Sequence, residues 1–198
     1  MWLKICGMTS AAAVAAAAAA GADAIGFVFA PSVRRLEPAV AAALAQRARG
    51  RVSCIAVTHH PEQKLIDEIM SVFKPDALQT DVDDFERLVL PQGLSRLPVL
   101  RAGAPAPAAL PTRLLFEGAR SGSGELSDWR QAAQLARQVQ LILAGGLTVD
   151  NVAAAVRAVR PFGLDTSSGV EVQPGIKSPE MIAAFVDTAR AALREIAS

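Results

Sequence analysis

Residues 3–29 read LKICGMTSAAAVAAAAAAGADAIGFVF. The apolar run Leu3 to Cys6 predicts a short strand, and Ala24 to Phe29 predicts a second one. Between them, Ala11 to Ala20 consists of nine alanines and one valine, which favour a helix. This run is too short and too weakly hydrophobic to span a bilayer. We therefore interpret the stretch as a strand, a helix and a second strand parallel to the first.

The same alternation continues along the chain. Six further strands are predicted, at Val52 to Thr58, Ala77 to Gln79, Leu97 to Leu100, Leu114 to Glu117, Leu141 to Ala144 and Phe162 to Asp165. Helix-forming segments separate most of these strands and close the chain, at Pro38 to Arg49, Glu62 to Phe73, Trp129 to Gln138, Asn151 to Val159 and Pro179 to Ile196. Strict alternation of this kind is typical of parallel strands joined by right-handed helical crossovers.

Eight predicted strands favour a closed (β/α)8 barrel, the TIM-barrel fold, over an open doubly wound sheet. A chain of 198 residues is short for such a barrel, so at least one connection between consecutive strands must be short. Ala102 to Thr112 is rich in proline and cannot form a regular helix. We therefore predict that the helix after strand five is short or missing, and that residues 1–198 form a single barrel domain.

Composition and charge exclude several classes of function. Twenty Lys and Arg residues against 19 Asp and Glu give a formal net charge of +1, which offers no basic field to a nucleic acid or a membrane surface. Only two cysteines occur, Cys6 and Cys54, and no leader pattern precedes them, so we expect free thiols in the cytoplasm. The sequence does not reveal the oligomeric state; we expect a monomer or a weak homodimer.

In a parallel barrel the active site lies at the carboxyl ends of the strands. After strands seven and eight the sequence places Gly145 with Gly146 and Ser168 with Gly169. Such loops expose backbone N–H groups that can surround a phosphate, and barrels of this type commonly hold a phosphate at these two strands. One Gly-Gly pair is equally well explained as a tight turn, but two such loops together favour a phosphate site.

Strand alternation indicates which side chains point into the barrel. Residues two apart share a face, so Lys4 faces the interior if Cys6 does, and the lysine would then favour the thiolate. Cys54 lies in the middle of its strand and is interpreted as structural. Glu117 and Asp165 can each reach the mouth of the barrel. Strand six lies across the barrel from strand one, so Cys6 and Glu117 could flank a substrate as base and acid.

Motifs along nearly the whole chain resemble those of the phosphoribosylanthranilate isomerase family. They are KICGMT at 4–9, GADAIGFVF at 21–29, ILAGGL at 142–147 with NV at 151–152, and DTSSGVE at 165–171 with PGIK at 174–177. The resemblance implies a (β/α)8 barrel of tryptophan biosynthesis that binds a small phosphosugar and needs neither cofactor nor metal. The implied reaction is the Amadori rearrangement of N-(5-phosphoribosyl)anthranilate to 1-(2-carboxyphenylamino)-1-deoxyribulose 5-phosphate.

The resemblance also implies roles for individual residues. Glu117 protonates the furanose oxygen and opens the ring to an iminium, and Cys6 removes the C2 proton as the general base. Arg34 binds the anthranilate carboxylate through a charge-assisted fork, and Asp165 orients the amine or the ribose. The phosphate is bound by five residues of the loops, namely Gly124, Gly145, Gly146, Ser168 and Gly169.

The sequence departs from the family pattern at three places. Glu117 stands where the family has aspartate, which keeps the acid chemistry but lengthens the side chain by one methylene. LQTD at 78–81 replaces the family's QLHG after strand four, and AVTH at 56–59 replaces its FVN after strand three. These changes leave His59, His60 and Asp81 without a family role, and we expect them to be solvated loop residues.

Two other functions are possible at this level. The aminoimidazole ribotide isomerase of histidine synthesis performs the same type of shift, but its family uses an aspartate at the end of strand one, where this chain has Cys6. A degenerate barrel could also bind a phosphosugar or a partner without turnover; the presence of Cys6, Arg34, Glu117 and both phosphate loops argues against it. Whether Glu117 or Asp165 is the general acid stays open.

Overall fold

The computed structural model describes residues 1–105, 107, 109–118 and 126–197 of the chain. Eight parallel strands close into a barrel in sequence order. They are β1 (Trp2–Cys6), β2 (Ala24–Val28), β3 (Ser53–Val57), β4 (Ala77–Asp81), β5 (Ser95–Arg101), β6 (Arg113–Glu117), β7 (Gln140–Leu143) and β8 (Gly163–Thr166). The predicted (β/α)8 barrel is confirmed, with each strand within two residues of its predicted bounds. That residues 1–198 form one domain stays a prediction.

Helices follow most strands. They are α1 (Ala11–Ala19), α2 (Pro38–Ala45), α3 (Gln63–Glu68, continued by a π-helical turn at Ile69–Phe73), α4 (Asp84–Arg87), α5 (Trp129–Ala136), α6 (Val152–Val159) and α7 (Pro179–Ala197). The described residues between β5 and β6 form no helix, as predicted from their prolines. Within the described part of the chain, no helix is long and apolar enough to cross a membrane.

Three elements were not predicted from the sequence. The single turn of α4 follows β4, and a 3-10 turn, Ser168–Val170, follows β8. Next comes an antiparallel hairpin of β9 (Glu171–Gln173) and β10 (Ile176–Lys177), inserted before the last helix. Segments of two to four residues carry too little periodicity to be recognised as strands or helices.

The side chains of the strands alternate between two apolar layers. Leu3 and Ile5 of β1 point outward into the core beneath the helices, whereas Lys4 and Cys6 point into the barrel. A smaller apolar cluster fills the barrel interior; it contains Ala24, Ile55, Ala77, Leu97, Val99, Leu115, Ile142 and Ala144. The interior is therefore packed with side chains, and the space for a ligand lies at the mouth.

The barrel closes where β1 pairs with β8. Trp2 lies opposite Gly163 and Lys4 lies opposite Asp165 in this pairing. A Cβ atom on Gly163 would lie 2.7 Å from the carbonyl oxygen of Trp2, so a glycine is required at this close approach. The register brings Lys4 and Asp165, which are far apart in the chain, side by side below the mouth.

Candidate active site

The carboxyl ends of the strands surround a cavity of about 730 Å³. Most of the predicted site residues line it, namely Cys6, Arg34, Glu117, Gly145, Gly146, Asp165 and Ser168. Gly169 packs beside the lining, and Gly124 lies outside the described residues. The fold therefore brings together residues from Cys6, near the start of the chain, to Ser168, near its end, because parallel strands end at the same face of a barrel.

Cys6 ends β1 with its thiol inside the barrel. Lys4, two residues earlier, is fully buried, and its Nζ donates to Oδ1 of Asp165 at 2.9 Å. Gly26 on β2 pairs with Cys6 and provides the space for both side chains. A Cβ atom on Gly26 would lie 2.8 Å from Sγ of Cys6 and 3.0 Å from Cε of Lys4. The predicted orientation of Lys4 and Cys6 is confirmed.

Burial dominates the electrostatics of this group. It raises the pKa of the Cys6 thiol, although Lys4 and Lys177 both act to lower it. Lys4 thus acts in the predicted direction, but the loss of solvation outweighs it. Burial also raises the pKa of Asp165, again against the lowering effect of Lys4. Burial of Cys6 therefore favours the thiol over the thiolate, while two lysines are placed to favour the thiolate.

Arg34 is held by a residue that the sequence analysis did not single out. Its Nε and Nη2 each donate to one carboxylate oxygen of Glu171 at 2.7 Å, in a two-point fork. Lys177 donates to the same carboxylate, so the hairpin of β9 and β10 supplies both an acid and a base. Nη1 of Arg34 donates to no acceptor among the described residues, so the Nη1–Nη2 edge is not used by Glu171.

Glu171 is strongly stabilised as a carboxylate. Burial by itself would raise its pKa, but the hydrogen bonds from Arg34 and Lys177 outweigh burial and lower the pKa from its usual 4.5 to about 2. For Lys177 burial is the larger effect, and its pKa is lowered despite Glu171. The three residues form a compact charged group at the edge of the cavity.

The two predicted phosphate loops contact each other. Gly145 and Gly146 both have positive φ, at 90° and 63°, a conformation that glycine adopts readily. Asn151 fixes this turn: its Nδ2 donates to the carbonyl oxygen of Gly146 at 2.8 Å. Gly169 lies against Leu147 so closely that a Cβ atom would come within 1.9 Å of the leucine carbonyl oxygen. Glycine is therefore required at 169 for the two loops to pack.

Glu117 ends β6 and is buried. Its Oε1 accepts a hydrogen bond from Nη1 of Arg101, at the end of β5, at 2.6 Å. Nε of Arg101 donates to Oδ1 of Asp81 at 2.7 Å, and Oδ2 of Asp81 lies 2.6 Å from Nδ1 of His59. The expectation that Asp81 is a solvated loop residue was wrong. β4 extends two residues further than predicted, and Asp81, its last residue, is only 7% exposed.

Other residues of the site were also missed. His60 is exposed at its ring, as expected, but Nδ1 lies 3.0 Å from Oδ1 of Asp84, at the start of α4. Gln79 lines the cavity, and its buried Oε1 accepts no hydrogen bond from the described residues. A buried amide without a partner is costly unless a water or a ligand satisfies it. A polar residue at the carboxyl end of a predicted strand is the signal that could have identified Gln79.

One group of the described residues has the composition of a metal site. Ligand atoms of His59, His60 and Asp81 lie within 4.8 Å of one another. However, Nη2 of Arg101 lies 3.4 Å from Nδ1 of His59, and its Nε is bound to Asp81. A fixed guanidinium at this distance repels a cation and already neutralises the carboxylate. We therefore assign His59 and Asp81 to a hydrogen-bonded network with Arg101, whereas His60 is bound to Asp84.

The chain is similar to proteins of one family over almost all of its length. The sequence profile described as N-(5'phosphoribosyl)anthranilate (PRA) isomerase matches residues 3–188. A relative from Rhizobium rhizogenes, named N-(5'-phosphoribosyl)anthranilate isomerase, is 36% identical over 216 residues, covering 99% of this chain and 97% of the relative.

Solved structures of similar fold carry the same family name. The phosphoribosyl anthranilate isomerase of Thermus thermophilus has a TM-score of 0.82 and 30% identity, covering 99% of this chain and 100% of that one. A phosphoribosyl anthranilate isomerase structure in complex with reduced 1-(o-carboxyphenylamino)-1-deoxyribulose 5-phosphate has a TM-score of 0.76 and 25% identity. It covers 96% of this chain and 99% of that one.

The low pKa of Glu171 predicts a specific acid sensitivity. Because its pKa is lower in the folded chain than its usual 4.5, the carboxylate stabilises the fold above that pH, and the contribution is lost as pH falls toward 2. Between pH 7 and pH 3, Glu171→Gln should lose about 2 kcal/mol less of its free energy of unfolding than wild type, measured by urea titration.

The exposed Glu62, which makes no capping hydrogen bond, provides the matched control. Glu62→Gln should lose as much stability on acidification as wild type. An equal loss in Glu171→Gln and wild type would show that the contacts with Arg34 and Lys177 do not stabilise the folded chain.

Proposed function

The chain belongs to the phosphoribosylanthranilate isomerase family, and we propose that Cys6 is the general base of its reaction and Glu117 the general acid. The chain is an aldose–ketose isomerase of tryptophan biosynthesis and acts on a small phosphosugar. The observation that supports these roles best is a thiol beside Lys4 and Asp165 in a cavity whose other wall carries Glu117. Because the chain belongs to this family, we do not propose the isomerase of histidine synthesis as an alternative function.

Substrate binding is proposed to use both ends of the cavity. The phosphate is bound by the backbone N–H groups of Gly145, Gly146, Ser168 and Gly169; the proposed contribution of Gly124 concerns a residue outside the described part of the chain. The N–H groups of Gly145 and Gly146 donate to no acceptor among the described residues, which leaves them available. The anthranilate carboxylate binds the Nη1–Nη2 edge of Arg34, whose other edge is held by Glu171.

The chemistry follows in two proton transfers. Glu117 donates a proton to the furanose ring oxygen; the C1–O bond breaks, and the nitrogen lone pair forms the iminium. The Cys6 thiolate then takes the proton from C2, and that electron pair gives the enolamine. The enolamine tautomerises to the ketone as C1 takes up a proton and the 2-hydroxyl group loses one. Lys4 and Lys177 favour the thiolate during this step, while burial makes it a stronger base.

Asp165 is proposed to orient the amine or the ribose of the substrate. Its carboxyl shares one wall with Cys6 and is paired with Lys4, so it approaches the substrate from the side of the base. Glu117 ends the strand across the barrel. With the acid and the base on opposite walls, one group can protonate the ring oxygen while the other removes the proton from C2. This arrangement supports Glu117 as the acid.

We further propose that the isomerase acts in the cytoplasm, as a monomer or a weak homodimer, without nucleic acid, metal or cofactor. Both cysteines are free and buried, and a catalytic thiol needs a reducing compartment. The near-zero net charge fits a small-molecule substrate better than a polyanionic partner.

Cys6→Ser tests the proposed base. Turnover is measured as the loss of fluorescence of phosphoribosylanthranilate, and kcat should fall by at least about 10²-fold, since a positioned general base contributes about 10²- to 10⁴-fold. The thermal midpoint should stay close to that of wild type. Cys54→Ala, a change of the other buried thiol, should keep kcat. Near-normal kcat in Cys6→Ser would remove Cys6 from the mechanism, and a wild-type protein without turnover would indicate a degenerate barrel.

Arg34→Lys tests the proposed carboxylate contact. Lysine keeps the charge but cannot contact Glu171 and a second carboxylate through one planar group, so KM should rise about tenfold or more while kcat changes less. Arg35, whose side chain is exposed and 3.7 Å from Glu37, is the control. A larger rise of KM in Arg35→Lys than in Arg34→Lys would mean that the wrong arginine has been assigned.

Glu117→Gln and Asp165→Asn together identify the acid. Glu117→Gln should lower kcat by about a hundredfold or more with little change in thermal stability, because the amide cannot donate the required proton. Glu117→Asp should be impaired to a smaller degree, since its carboxyl falls short of the position that Arg101 defines. If Glu117→Gln keeps its activity while Asp165→Asn is inactive, the acid is Asp165.

A further inference from the structure

Four charged or titratable side chains at the ends of consecutive strands form one connected network. It comprises His59 after β3, Asp81 on β4, Arg101 on β5 and Glu117 on β6, and we call it the Arg101 network. Three of its links measure 2.6, 2.7 and 2.6 Å, from His59 to Asp81, from Asp81 to Arg101 and from Arg101 to Glu117. Only Glu117 has a role in the reaction proposed above.

Arg101 is shared unequally between its two acids. Nε and Nη2 both face Asp81, at 2.7 and 3.3 Å, while Nη1 alone contacts Glu117 in this network. Burial by itself would lower the pKa of the guanidinium, but the contacts with Asp81 and Glu117 raise it, so Arg101 stays charged. Because the guanidinium is planar, binding to Asp81 on one edge fixes the direction in which Nη1 points.

Asp81 is stabilised as a carboxylate. Burial by itself would raise its pKa, but the hydrogen bonds with Arg101 and His59 outweigh burial and lower it. One guanidinium therefore faces two acids, of which Asp81 already takes the larger share of its hydrogen bonds. Asp81 therefore fixes the guanidinium, and Nη1 is the atom left to contact Glu117 in this network.

We propose that Arg101, anchored on Asp81, is a positioning residue that holds the carboxyl group of Glu117 in place for proton donation. The proposal rests on the role of Glu117 given above. A glutamate has one more rotatable bond than an aspartate, and a displacement of about 1 Å at a reacting group can cost about 10²-fold in rate. The hydrogen bond from Nη1 restrains that extra freedom.

Asp81 has a second part in the same arrangement. Without it, the whole charge of Arg101 would act on Glu117 and favour its carboxylate, which cannot donate a proton. With it, the guanidinium orients Glu117 while most of its charge is compensated elsewhere. Loss of either Arg101 or Asp81 should therefore impair the acid step, although neither residue gives or takes a proton in the reaction proposed above. Arg101 itself lines the cavity beside Glu117.

The test compares kcat and KM of Arg101→Met, Arg101→Lys and Asp81→Asn in the wild-type chain and in the Glu117→Gln background. In the wild-type chain Arg101→Met and Asp81→Asn should lower kcat about tenfold or more, with KM within about threefold, since only the acid step is impaired. Arg101→Lys should be intermediate, because it keeps the charge but not the fork. In Glu117→Gln each change should add less than about twofold, since its target is gone.

Arg113→Met is the matched control. Arg113 begins β6, at the opposite end of the barrel, where it contacts Gln140 and lies over the ring of Phe162. Its loss removes a strand arginine and its hydrogen bonds without approaching the cavity, so kcat should stay within about twofold of wild type. Thermal midpoints of all variants report their folding. If Arg101→Met does not fold, Arg101→Lys and Asp81→Asn provide the same comparison.

Each outcome bears on the proposal separately from the proposed function. Wild-type kcat in the Arg101 and Asp81 variants would overturn the positioning role while leaving the isomerase activity intact. The same would follow if these changes lowered kcat equally in the Glu117→Gln background, since Arg101 would then act independently of Glu117. An active Glu117→Gln would overturn the acid role and this inference, whereas a wild-type chain without turnover would overturn the proposed function itself.

Discussion

The ion pair of Lys4 and Asp165 joins the first and last strands inside the barrel. A lysine that is fully buried must keep a partner, and removing one member of such a pair typically costs about 3–5 kcal/mol. The pair forms only in the closed barrel, since its members lie on β1 and β8. It also places a positive charge below Cys6, so the contact that closes the barrel and the electrostatic environment of the thiol have the same origin.

Among the described residues, the two arginines that line the cavity are each held by an acid of their own. Glu171 binds one edge of Arg34, and Asp81 binds one edge of Arg101. A guanidinium fixed in this way needs little reorganisation when a substrate or a second carboxyl group meets its other edge, which is the usual source of electrostatic advantage in an active site. The cavity thus presents two oriented guanidinium groups, each paired with a carboxylate.

The departures from the family pattern are physically connected. Glu117, Asp81 and His59 lie on separate segments of the sequence, yet all three meet at Arg101. A longer acid at the end of β6 is compatible with this site because a neighbouring strand end provides a donor for it. His59 and Asp81, to which the family pattern assigns no role, are therefore connected through Arg101 to Glu117, to which it does assign one.

The periodicity of the sequence was enough to predict the barrel, the strand bounds to within two residues, and the inward direction of Lys4 and Cys6. The proline content was enough to predict the missing helix after β5. These features depend on residues close together in sequence, where alternation and proline content act directly. Glu171, Arg101 and the buried state of Asp81 could not be obtained in this way. Arg34 and Glu171 are 137 residues apart, and their contact exists only after closure brings the strand ends together. The pKa of Cys6 likewise depends on the folded chain. The sequence places Lys4 beside the thiol, but only the fold brings Lys177 near it, and the loss of solvation on burial outweighs both lysines.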